Sequence, residues 1–152
     1  MVLDQIERET IIAAPVERVW EVVTGAEHVG RWFGDAGAEI DLRPGGRLAL
    51  YWHDSGAVDG RVEVVEPPRR FAYRWQHAGD PAAELTPANS TLVDFTLAAE
   101  GDGTRVAVVE SGFDALEVTA AERAGLVASH TSGWASELRD LVAHASGTPA
   151  GK

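Results

Sequence analysis

The spacing of hydrophobic and polar positions in this chain changes character three times. Residues Gln5 to Ala13 alternate and carry Thr10, Ile11 and Ile12, which predicts a first strand. Pro15 suits a first helical turn. Val16, Val19, Trp20 and Val23 then follow at i, i+3, i+4 and i+7, a short amphipathic helix stopped at Thr24-Gly25. Ala26 to Phe33 reads as a second helical piece closed by Gly34. From there to Glu110 the period is mostly two. Ala38 to Leu42 is a short strand, and Arg43-Pro44-Gly45-Gly46 a turn. Arg47 to His53 sets Leu48, Leu50 and Trp52 on one face, and Asp54-Ser55-Gly56 turns the chain into Val58 to Glu66, with Val62 and Val64 aligned. Pro67-Pro68 breaks that strand. Arg69 to Gln76 returns with Phe71, Tyr73 and Trp75 aligned, and His77 to Ser90 is the longest irregular stretch. Thr91 to Ala99 carries Val93, Phe95 and Leu97. Gly101-Asp102-Gly103 is a hairpin signal, and Thr104 to Glu110 continues with Val106, Val108 and Glu110.

After a link over Ser111 to Val118 the period becomes helical. Thr119-Ala120-Ala121-Glu122 is a capping box, in which hydroxyl and carboxylate each satisfy a free backbone donor. At about 100° per residue, Leu126, Val127, His130, Trp134, Leu138, Leu141 and Ala145 fall within an arc of about 120°. A helix from Thr119 to about Ala145 is roughly 40 Å long and needs one broad apolar surface opposite it. The preceding strands supply that surface. The order is strand, two short helices, six strands and a long helix, with hairpins implying an antiparallel sheet curved around the final helix in α+β layering. His130, Gly133 and Trp134 place a polar ring, a gap and an indole on the helix face, the features of a cavity roof.

Length and composition narrow the functional classes. The 152 residues suit one domain. Residues 1–146 are expected to form it, with 147–152 a flexible tail. Thirteen basic against 24 acidic residues give a net charge of −11 with no basic run, which argues against nucleic acid and anionic membrane partners. Cysteine is absent, so disulfides and thiolate chemistry are excluded. No stretch reaches the apolar length of a membrane span, so no membrane insertion is expected. Met1 to Glu9 lacks the pattern of a secretory signal, and cytoplasm is the expected compartment.

This order resembles a known architecture. Together with Pro15, Val19-Trp20, Trp32-Phe33, Gly45-Gly46 and the run Gly60 to Trp75, it is similar to the START-like, Bet v 1-like (SRPBCC) superfamily. Within that superfamily, His130-Thr131-Ser132-Gly133-Trp134 with Leu138 and Leu141 resembles the closing motif of the activator of Hsp90 ATPase homologue (AHSA1-like) family. The resemblance covers residues 5 to 145. It implies a helix-grip fold, a seven-stranded sheet around the last helix with a hydrophobic cavity between them.

The candidate site follows from these faces. Trp52, Tyr73, Trp75, Phe95 and Trp134 are the expected apolar contacts for a small hydrophobic or amphipathic molecule, joined by Trp32, Phe33, Leu50, Val108, Leu126 and Leu138. The plain alternative is ordinary core, the reading taken for Trp20. Glu110 and His130 are polar handles: a carboxylate and an imidazole in a dry cavity bind a polar group or do acid–base work, unless they simply satisfy each other. His53 and His77 lie at strand ends near Asp54 and Asp80, with no ligand spacing for a metal, and His28 and His144 are expected in solvent. No nucleophile motif, metal site or cofactor is predicted. The stretch His77 to Ser90 is either a lid or a surface loop. The expected role is non-catalytic binding in the cavity. Its rivals are a polyketide cyclase- or aromatase-like enzyme using Glu110 and His130, and a chaperone-related or homodimeric interaction module.

Overall fold

Alternation along the chain becomes seven strands: β1 (Gln5–Ile12), β2 (Ala38–Ile40), β3 (Arg47–Trp52), β4 (Gly56–Glu66), β5 (Arg70–Gln76), β6 (Ser90–Glu100) and β7 (Gly103–Ser111). The helices are α1 (Val16–Thr24), α2 (Ala26–Trp32) and α3 (Ala120–Ser146). This computed structural model describes residues 5–33, 36–53, 56–77 and 84–146. The helix stop at Gly34, the Asp54-Ser55 turn, Asp80 with most of its loop and the tail 147–152 lie outside the described residues.

All neighbouring strands are antiparallel, in the order β1-β7-β6-β5-β4-β3-β2. Hairpin connections carry the chain from β2 to β7, beside which β1 pairs; α1 and α2 therefore carry it from one sheet edge to the other. This is the predicted helix-grip fold. Two features of β4 depart from a regular strand. A bulge between Val62 and Val64 shifts the β4–β5 register, so that Val62 and Val65 pack on the core instead of Val62 and Val64. At Gly60, a Cβ would stand 2.4 Å from the carbonyl oxygen of Arg74, an approach that excludes any side chain.

The predicted capping box starts α3. The Thr119 N–H donates to Glu122 Oε1 (2.9 Å) and the Glu122 N–H to Thr119 Oγ1 (3.0 Å). Arg123 donates to the carbonyls of Phe113 and Leu116, tying this end to the turn after β7. Trp134, Leu138, Leu141 and Ala145 are buried, as the helical arc requires, while Leu126 and Val127 are half-buried. At the other end His144 Nε2 and His28 Nδ1 lie 3.0 Å apart, a link between α2 and α3 where both rings were expected in solvent. The outer sheet face carries cross-strand ion pairs such as Arg47 with Glu39 and Asp59, which add little stability in water. Among the described residues no helix is long and apolar enough to cross a membrane.

Candidate functional site

The inward positions of β7 are Thr104, Val106, Val108 and Glu110, all buried. Strand alternation thus carries a carboxylate into the core, with none of its surface exposed. Four donors meet it. Trp75 Nε1 (2.9 Å) and Thr91 Oγ1 (2.5 Å) reach Oε2; Trp134 Nε1 (2.8 Å) and His130 Nδ1 (2.7 Å) reach Oε1. Trp75 and Thr91 are opposite partners on β5 and β6, and His130 and Trp134 are one helical turn apart on α3. Three strands and the helix therefore converge on one side chain. An ionised carboxylate offers about four lone-pair directions, and here each has a donor.

Burial alone would push the Glu110 carboxyl up. The hydrogen bond and charge of His130, then the bonds from Thr91 and Trp134, outweigh it and hold the group below its ordinary value. His77 lies next to this network. Its ring centroid is 4.5 Å from that of His130 and 4.8 Å from that of Trp75, and its Nε2 is 3.7 Å from Glu110 Oε2, too far to bond. Burial, then the charge of His130, lower the His77 imidazole to about 4 against the upward pull of Glu110. His77 Nε2 is one of two buried side-chain polar atoms among the described residues without a partner; the other is Tyr73 Oη.

His77, Glu110 and His130 bring ligating atoms within 4.8 Å of one another. A divalent ion there would have to displace donors already seated on Glu110, so the carboxylate is better described as the hub of a completed hydrogen-bond network.

The space lies at one end of the grip. A cleft of about 320 Å³ is lined by Phe33, Trp52, Val58, Trp75, His77, Ser129, His130, Gly133, Trp134 and Glu137. Deeper in, Phe33 stacks on Trp32 and Trp134 (5.2 and 5.3 Å) and meets Trp52 edge-on (5.7 Å). Only about 10 Å³ is left there, among Trp32, Phe33, Leu50, Tyr73, Phe95 and apolar neighbours. That remnant has room for no more than about a single water. A wider groove, about 680 Å³, runs between β1 and the outer side of α3, lined by Arg8, Glu9 and Arg139 beside Leu138 and Val142. It lacks the convergent polar groups of a small-molecule site.

The predicted site residues therefore divide. Phe33, Trp52, Trp75, His130 and Trp134 line the cleft, with Glu110 directly beneath three of them. Trp32, Leu50, Tyr73 and Phe95 surround the small inner void. Val108 is buried opposite Phe95, Leu138 borders the outer groove, and Leu126 packs half-buried on the core. Sequence reasoning missed His77, Val58 and Thr91, whereas Gly133 lines the cleft as the gap expected in the cavity roof. For His77 a signal existed, since it continues the parity of Phe71, Tyr73 and Trp75 one step past the strand.

Solved structures with this fold include DynU16 of the dynemicin biosynthetic locus, at 25% identity and a TM-score of 0.72 over 93% of this chain. This chain spans only 46% of DynU16. CalU16 from Micromonospora echinospora is 27% identical with a TM-score of 0.70, covering 93% of this chain and 76% of that one. The Aha1 dimer from Colwellia psychrerythraea, at 21% identity and a TM-score of 0.73 over 96% and 97% of the two chains, shows the same fold. Among curated protein sequences none matches. A family profile described as activator of Hsp90 ATPase homolog 1-like protein matches residues 13–146, nearly all of the sheet and the whole gripped helix. The chain therefore belongs to the activator of Hsp90 ATPase homolog 1-like family.

Proposed function

We propose that this protein binds a compact, largely apolar molecule in the cleft between the ends of β3–β5 and α3. The observation that carries the reading is the lining itself. Four aromatic side chains (Phe33, Trp52, Trp75 and Trp134) surround about 320 Å³ with two imidazoles at one side. Small-molecule sites are mostly apolar with a few convergent polar groups, and this volume is at the lower end of their range. A ligand of one or two fused rings fits that size, whereas the packed interior behind Phe33 gives no room for a long acyl chain. Native mass spectrometry of protein purified from its own host tests the reading. A small molecule travelling with the folded chain is expected. Protein that emerges bare, and gives no chemical-shift change at Trp52, Trp75 or Trp134 with any bicyclic aromatic compound, would refute it.

A further inference from the structure

We propose that the cleft selects molecules bearing a hydroxyl that donates a hydrogen bond, phenolic or enolic, with His130 Nε2 as its acceptor. The inference rests on the cleft-binding reading above. It starts from Glu110, whose carboxylate can only accept. Because His130 Nδ1 lies 2.7 Å from Glu110 Oε1, Nδ1 must carry the proton. In a neutral ring the lone pair is then on Nε2, and that is the acceptor His130 has to offer a molecule in the cleft it lines. Trp75, Thr91 and Trp134 donate to the same carboxylate, so its orientation, and with it the tautomer, is fixed from three sides.

Charge narrows the class further. A carboxylate buried beneath the imidazole, a second at Glu137 on the lining and a net charge of −11 disfavour an anionic ligand. An ether or hydrocarbon of the same shape would leave Nε2 facing apolar atoms without a partner, which is the expensive case for a buried acceptor. A neutral hydroxyl on a flat ring satisfies the nitrogen, and its ring meets the aromatic walls.

The test is calorimetric titration of the full chain at pH 8 with 2-naphthol and with 2-methoxynaphthalene. The two share a ring system, and only the first can donate. 2-Naphthol is expected to bind about tenfold more tightly. That ratio should fall to about one in His130→Phe. Should that variant fail to fold, the ring nitrogens of His130 in the unaltered chain are read by nitrogen NMR. A proton on Nδ1, with the Nε2 resonance moving when 2-naphthol is added, supports the proposal; a proton on Nε2 overturns it. Equal affinity for the two compounds overturns the hydroxyl preference while leaving cleft binding in place. Binding of neither overturns both.

Discussion

Gly133 sits in the middle of α3, where glycine is a poor residue, and it lines the cleft. A Cβ built there meets no heavy atom within 4 Å. The missing side chain is therefore space for something else, and Gly133→Leu fills it. Glycine in a helix interior is about 0.8–1 kcal/mol worse than alanine, and leucine is close to alanine, so the substitution should stabilise the helix by roughly that amount. For a chain of this length the gain corresponds to a rise of about 2–4 °C in Tm. The four added carbons project into about 320 Å³ that the ligand has to share. Affinity for 2-naphthol, followed by quenching of tryptophan fluorescence, should drop at least about tenfold, equivalent to roughly 1.4 kcal/mol. Stability and binding thus move in opposite directions, which separates occlusion of the cleft from damage to the fold. Unchanged affinity in a stabilised Gly133→Leu would show that the ligand does not use this cleft. A lowered Tm would show that the space beside Gly133 is not open.

Two further outcomes follow from the Glu110 network. Glu110→Ala strands four donors, those of Trp75, Thr91, His130 and Trp134, and should cost about 3–5 kcal/mol in urea unfolding, with Glu110→Gln costing less because an acceptor remains; a loss under about 1 kcal/mol in the alanine variant would contradict the hub. His77 stays neutral in the folded chain down to about 4, whereas the unfolded chain takes up that proton near the ordinary imidazole value of 6.5. The associated stability is complete above the unfolded value and is lost as pH falls towards the folded one, to a total of roughly 3 kcal/mol. Urea midpoints between pH 7 and pH 4.5 should therefore fall more steeply for the unaltered chain than for His77→Phe, and parallel curves would refute this assignment.

The fold was legible because its signals are periodic. Period two gave the strands, including Glu110 as the inward residue after Val106 and Val108, and the helical arc placed His130 and Trp134 on the buried side of α3. The β4 bulge was not legible, because it breaks the period it would have to be read from; it brings Val65 inward where Val64 was expected. The site was legible in part. Parity says that Trp75 faces the core, but not that its N–H ends on Glu110, since that depends on a ring rotation set by three neighbouring elements. Nor does composition reveal where a cavity survives. Phe33 occupies the space that the faces of Tyr73 and Phe95 left, and this moves the opening to the end where Gly133 leaves room. The His28–His144 link joins residues far apart in sequence, and no local pattern anticipates it.

The tryptophan side chains also make the molecule its own spectrometer. Two indole N–H groups, those of Trp75 and Trp134, end on a carboxylate, while those of Trp32 and Trp52 end on backbone carbonyls of Val22 and Phe33. Bonds to a charged acceptor are shorter and stronger than bonds to a neutral one, so the first pair of proton resonances should separate from the second. Trp52, Trp75 and Trp134 all border the cleft whereas Trp32 lies behind it. An unlabelled compound entering that space would then be read out at three resonances, with a fourth as internal reference.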